Sequence, residues 1–295
     1  MSTTTDRAPH SPARRSGLRT TRSALTLLKE QAWLGALAGV IVLSVVFVFL
    51  GRWQYHRHEA RSARNALVNA NYDASPITLG SLIPTVRQDP TVALPKALEW
   101  RPVTTTGTYL TDHTLLLRNR PYDNQNGYNV LVPLRTTEGP ILIVNRGWIP
   151  AGSTSAAEPD SIPAPPSGQV TVVSRLRPSE PTTTRPAPTG QVNRIAVRQL
   201  AGALGPADAG AVVGAYGLLV SETPAAALTP AAAGKPDPGL GINFAYAVQW
   251  VAFAIAAYVL FGVAMVREAR TRNGEVPQPL RVPWRRRERD EYDEE

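Results

Sequence analysis

The chain has 295 residues, no cysteine and a formal net charge of +8, with 43% hydrophobic and 18% charged residues. The missing cysteine excludes disulfides, thiolate metal sites and a cysteine nucleophile. Much of the positive charge lies in the two tails, around Arg14–Arg15 and Arg285–Arg287, where membrane topology accounts for it, so no nucleic-acid partner is expected.

Residues 1–30 carry Arg7, Arg14, Arg15, Arg19, Arg22 and Lys29 with no apolar periodicity, the composition of a disordered tail. An uncharged apolar run follows over 33–50. A basic leader before an apolar run also describes a signal peptide. This run is longer than a signal core, however, and leads into Leu50-Gly51-Arg52-Trp53-Gln54 rather than a small-residue cleavage site. The expectation is an uncleaved membrane span over 31–51. Residues 52–72 favour continued helix, with Arg57, Arg61 and Arg64 as a basic stripe and Leu67 and Val68 free to dock on the next domain. Pro76 marks its end.

From Trp100 the pattern turns to strands. Stretches 103–110, 114–120, 127–134, 140–145, 170–176, 193–197 and 215–222 are rich in Val, Leu, Ile, Thr and Tyr and broken by turn residues. A short helix is expected over 197–204. Asp112-His113 and Glu138-Gly139 read as tight hairpin turns. Sequential strands with such turns predict an antiparallel, barrel-like β domain. Loops rich in Pro, Ala, Ser and Thr are expected over 150–168, 178–190 and 223–239, the last tethering a second span.

That second span is the most apolar stretch, 243–266, uncharged from Phe244 to Val266. As a helix its uncharged part reaches roughly 34 Å at 1.5 Å per residue, enough to cross a bilayer core of about 30 Å. Ala247, Ala254 and Gly262 would allow close packing of the two spans, which should meet near Trp53, Tyr246 and Trp250. Only Lys235 and Asp237 precede it, while Arg267, Arg270 and Arg272 follow directly. The expected topology is therefore a two-pass protein of the cell membrane with both termini cytoplasmic. Residues 52–242 form the extracytoplasmic domain, and 267–295 a charged tail. The fold class predicted is membrane α+β, two transmembrane helices flanking an antiparallel β-rich domain.

The catalytic search is mostly negative. There is no Gly-x-Ser-x-Gly elbow and no phosphate-cradling glycine loop. His58-Glu59 begins like a zinc-protease helix, but Ser62 stands where the second His is needed. His113 beside Asp112 reads as a solvated turn residue. His56 and His58 lie within two turns of the first span, where a haem edge or a partner could reach them. Interfacial placement alone also accounts for them, as it does for Trp53 and Tyr55. Arg146 in Asn145-Arg146-Gly147-Trp148-Ile149-Pro150 is suited to a bidentate contact with a carboxylate or haem propionate, or to an internal acid. Trp148 caps the core or faces the membrane.

The order of motifs carries a resemblance. Leu50-Gly51-Arg52-Trp53-Gln54 closes the first span, and Trp100-Arg101-Pro102-Val103 opens a strand. Gly107-Thr108-Tyr109, Gly127-Tyr128-Asn129-Val130-Leu131-Val132-Pro133-Leu134 and Val144-Asn145-Arg146-Gly147-Trp148-Ile149-Pro150 follow, then Tyr246-Ala247-Val248-Gln249-Trp250 in the second span. Over roughly 33–267 this resembles the surfeit locus protein one family of cytochrome c oxidase assembly factors. The resemblance implies a non-enzymatic factor that assists haem a insertion or maturation of the oxidase catalytic subunit. It also implies that subunit and the haem-inserting machinery as partners, and transient contact with haem a. Cofactor-binding candidates are then His56, His58, Asn243, Tyr246 and Gln249. Trp53, Gln54, Arg146, Trp148 and Trp250 are candidates for partner or packing surfaces. Members commonly carry a His three residues before the Tyr of the second-span motif. Asn243 stands there, and an amide is a poor iron ligand. The rival readings are a membrane-anchored extracytoplasmic hydrolase and a structural subunit of a respiratory complex.

Overall fold

The computed structural model describes residues 22–86 and 88–275. It divides into a helical unit, up to Ala60 and from Leu240, and a strand-rich unit, Arg61–Gly239. The helical unit opens with a short helix α1 (22–27), then α2 (Gln31–Asn71), and closes with α6 (Asn243–Arg272). Both α2 and α6 are long and apolar enough to cross a membrane. Most of each span's apolar surface is unburied, Val42, Val45, Phe49, Ile255 and Leu260 among it, as side chains bathed by lipid would be.

The two long helices run antiparallel, as four sets of contacts show. Trp33 meets Phe261 edge-on at 5.8 Å between ring centroids, and Phe47 lies 5.5 Å from Trp250 and 6.0 Å from Phe253. Gly51 faces Ala247, and His58 lies 5.3 Å from Phe244. The α2 residues Phe47, Gly51, Gln54 and His58 are spaced 4, 3 and 4 apart, the interval that keeps one stripe of a helix against a neighbour. At the far end of α6, Met265 and Ala269 pack on Ala24 and Leu27 of α1, while Arg272 pairs with Glu30. Of the tail over 1–30, for which disorder is expected, residues 1–21 lie outside the described residues and 22–27 form α1; residues 276–295 of the charged tail also lie outside them.

In the strand-rich unit, α2 ends at Asn71, near the expected stop. Val68 and Tyr72 bury against Trp100, with Leu218 beside them. Next come β1 (Ile77–Thr78), α3 (Leu79–Val86), β2 (Pro102–Tyr109), β3 (Leu115–Leu117), β4 (Gly127–Thr136) and β5 (Ile141–Pro150). After these follow β6 (Gln169–Pro178), β7 (Gln191–Val192), α4 (Val197–Ala203), α5 (Pro206–Ala209) and β8 (Val212–Thr223). Strands β2, β6, β8, β5 and β4 pair in that order, and β4 pairs back onto β2, closing a five-stranded barrel. Closure removes the sheet edges that invite aggregation.

Most pairs are antiparallel, including β4–β5 across the expected Glu138-Gly139 turn, where Gly139 takes φ 106°. The β5–β8, β1–β2 and β3–β7 pairs are parallel. Strand β6 alternates buried and exposed positions, showing one face to solvent. Strand β5 is buried almost throughout, because its inner face lines the barrel and its outer face is covered. Inside lie Val103, Tyr109, Val132, Leu134, Val144 and Leu176. Outside, Leu131, Ile143 and Tyr216 pack under Val197, Leu200 and Leu204 on and beside α4.

Three expectations change. The turn at Asp112-His113 is a short 3-10 segment, Thr111–His113, and joins two strands that do not pair with each other. The ten-residue β4 binds both, β3 through Asn129–Leu131 and β2 through Leu134–Thr136. Strand β3 stops at Leu117 rather than 120, just before Asn119 at φ 59°. The strand expected over 193–197 is instead a connection into α4. The Ile195 N–H donates to Glu180 Oε2 at 3.1 Å, and the Asn193 side chain donates to the carbonyls of Arg185 and Pro186. Those polar groups are satisfied by a loop, so no ladder is needed.

Candidate functional site

Within the helical unit, residues 50–58 of α2 and the start of α6 bring together the Leu50–Gln54 and Tyr246–Trp250 motifs. Gly51 is what permits this. A Cβ there would meet the Ala247 carbonyl at 3.3 Å and the Trp250 Cβ at 3.5 Å, so the small residue sets how near the helices approach. Ala247 and Ala254 are both buried, while a Cβ at Gly262 would stand in open space.

Gln54 and His58, one turn apart on α2, each carry a buried polar atom without a hydrogen-bond partner, Oε1 and Nδ1 respectively. His56 points elsewhere. Its side chain is exposed, and its Nδ1 lies 3.1 Å from Glu59 Oε2, one turn on. Trp250 joins Phe47 and Phe253 in an aromatic cluster. Trp53 and Tyr246, expected at the contact between spans, face outward with 47% and 41% exposure, and the Arg57 guanidinium lies 5.0 Å over the Trp53 ring. The contact is made by Gly51 and Trp250, because Trp53 sits on a different side of α2. Gln249 is exposed, and Asn243 is the first residue of α6.

The residues present fit a resident haem poorly. The position of the usual His holds an amide, His58 is packed on Phe244 with Nδ1 closed off, and His56 stands exposed beside Glu59 rather than inside an enclosing pocket. Among the described residues no cluster of three His, Cys, Asp or Glu side chains is placed to hold a metal. No step is therefore assigned to a haem held by this chain.

In the strand-rich unit, Arg146 is occupied internally. It is 1% exposed and donates through Nη2 to Glu222 Oε1 at 2.7 Å and through Nη1 to the Pro163 carbonyl at 2.8 Å. Tyr109 donates its hydroxyl to Glu222 Oε2 at 3.0 Å. Burial, then the Glu222 charge, pushes the Tyr109 hydroxyl far above its ordinary titration range. Tyr109 therefore serves as a permanent donor. The fork that would grip a propionate is spent on an internal acid.

Trp148 is half-buried at the end of β5. Its indole N–H donates to the Arg120 carbonyl at 2.7 Å, the Tyr122 ring covers it at 5.3 Å, and its backbone pairs with Ala231. Gly147 takes φ 130°, and a Cβ there would lie 2.5 Å from the Ala231 carbonyl oxygen, so this motif glycine lets the 223–239 loop close against the strand. His113 lies on the short Thr111–His113 segment, and its ring makes no hydrogen bond among the described residues. Tyr109 closes the Gly107-Thr108-Tyr109 motif, and Glu222 lies in the strand expected over 215–222. Their pairing with Arg146 joins residues 37 and 76 positions away in sequence, and no local pattern announces it.

Comparison with known proteins agrees with the motif order. The profile of the SURF1 family matches residues 41–255. Uncharacterised SURF1-like proteins of Mycobacterium bovis and Mycobacterium tuberculosis are 31% identical over 265 residues, covering 85% of this chain and 90% of theirs. The family is generally known for assembly factors of cytochrome oxidase rather than for catalysts. The matched region runs from within the first span, through the barrel, to within the second, and on that evidence the chain belongs to the SURF1 family.

Proposed function

We propose that this chain is an assembly factor for haem-a-containing cytochrome c oxidase. It acts on the maturing catalytic subunit, at or near haem a insertion, as a chaperone rather than as a haem carrier. Both termini lie in the cytoplasm and the barrel lies outside, as the arginines following α6 favour. One observation carries the reading. The Leu50–Gln54 and Tyr246–Trp250 motifs meet through Gly51, Ala247 and Trp250, leaving Trp53, Tyr246 and Gln249 exposed for a partner. Exposed aromatic residues at a membrane interface suit contact with another membrane protein and the lipid headgroups.

Co-isolation of tagged full chain with pulse-labelled membranes tests this. An assembly factor retains newly made catalytic subunit and releases it as the oxidase matures. Stoichiometric retention of the mature complex would favour a structural subunit instead, and no retention at either stage would refute both.

A further inference from the structure

One end of the strand-rich unit carries a cavity of about 200 Å³ with an unusual lining. It is walled by threonines of β2 and β4, by the start of α3 and by the Glu138 turn. Thr105 and Thr136 are 5% and 8% exposed, and neither hydroxyl has a hydrogen-bond partner in the protein. Their register explains the placement. Gly107 opposes Thr136 across the β2–β4 pair, so Thr105 and Thr136 fall on the inward faces of strands whose other inward positions are Val103, Tyr109, Val132 and Leu134. Two hydroxyls thus stand where an apolar core would take valines, and a buried hydroxyl with no partner marks a missing ligand or solvent molecule.

The third component is Glu138. Its carboxylate lies against Gly80 at the start of α3, where any Cβ would run into both carboxylate oxygens. Glu138 makes no ion pair among the described residues, and no Lys or Arg lines the cavity. Thr137, beside it, is engaged by the sheet, since its N–H and its hydroxyl both donate to the Thr106 carbonyl, at 2.9 and 3.4 Å.

The chemistry selects the ligand. One carboxylate and two free hydroxyls present acceptors, and the absence of a cation in the lining disfavours an anion. A calcium ion seeks six to eight oxygens, usually with several carboxylates, and a single acid does not supply that. A primary ammonium group carries three N–H donors on one compact charge, matching one carboxylate and two hydroxyls. We infer that this cavity, framed by Thr105, Thr136 and the Glu138 carboxylate that Gly80 admits, is a binding site for a primary ammonium group. The group comes from a free small amine or from a lysine side chain, and the inference stands independently of the role in oxidase assembly.

The test is NMR of full chain in detergent with selectively labelled threonine methyls, titrated with ethylammonium, Nα-acetyl-lysinamide or tetramethylammonium. Shifts confined to threonines of the cavity with either primary amine, and absent with tetramethylammonium, are expected. The tighter of the two amines identifies the source. Glu138→Gln, on an exposed turn, is expected to weaken binding about tenfold or more by removing the charged acceptor, and Thr105→Val to weaken it without loss of fold. No shift with either amine up to about 10 mM would overturn the inference. So would equal shifts with tetramethylammonium, or shifts with calcium or magnesium alone.

Discussion

Replacing Glu222 by Gln should destabilise the barrel strongly. The Arg146 and Glu222 side chains are 0% and 2% exposed. Between them they make the 2.7 Å Nη2–Oε1 contact, a longer Nε–Oε2 contact of 3.4 Å, and the Tyr109 bond at 3.0 Å. Removing one member of a buried pair strands the other charge, at a cost of about 3–5 kcal/mol. Arg146→Met leaves the Glu222 carboxylate with only Tyr109 and should cost about the same. At roughly 2–4 °C per kcal/mol for a domain of this size, each change lowers the melting temperature by about 6–20 °C. The double variant Arg146→Met/Glu222→Leu removes both charges and should be more stable than either single one. Near-UV circular dichroism of full chain in detergent, followed through thermal and urea unfolding, reads all three. Single variants costing under about 1 kcal/mol, or a double variant costing the sum of the two, would refute a buried pair closed to solvent.

Other outcomes follow from the same structure. Gly147→Ala forces a side chain into φ 130° against the Ala231 carbonyl and should destabilise by about 1–3 kcal/mol; wild-type unfolding would contradict it. Gly51→Ala should accumulate in membranes normally, whereas Gly51→Leu should separate α2 from α6 and lower accumulation. Equal amounts of the two variants on immunoblots of membranes would show that the helices do not meet there. The raised Tyr109 titration, due first to burial, makes a stability contribution fully present below the ordinary value of 10.0 and lost as pH climbs above it. Alkaline unfolding of Tyr109→Phe should therefore be less steep with pH, and an unchanged slope would place the hydroxyl in solvent.

The spans were legible because soluble helices rarely run uncharged for the length of a bilayer crossing, and the β class because Val-, Ile- and Thr-rich stretches alternate with turn residues. Closure into five strands and the parallel β5–β8 pair were not legible, since pairing partners are set by contacts distant in sequence. Local chemistry also overrode pattern at 193–197, where the Glu180 carboxylate and the Asn193 amide hold a loop that reads as strand. At the candidate site, Gly51, Ala247 and Trp250 were visible as motif residues, but the orientation of Trp53 depends on the helix's rotation. Arg146 raised two readings from sequence. Only the position of Glu222, 76 residues further on, directs the guanidinium inward.

The assembly role is tested most directly by a reduced-minus-oxidised spectrum of membranes from a strain lacking this chain, scored for the haem a signal and complemented with wild type or Asn243→Ala. A depleted signal restored equally by both is expected, because position 243 holds an amide rather than an iron ligand. A full haem a signal with normal oxidase activity in the deletion strain would contradict the assembly role. Restoration by wild type but not by Asn243→Ala would contradict the reading that the chain acts without holding haem at that position.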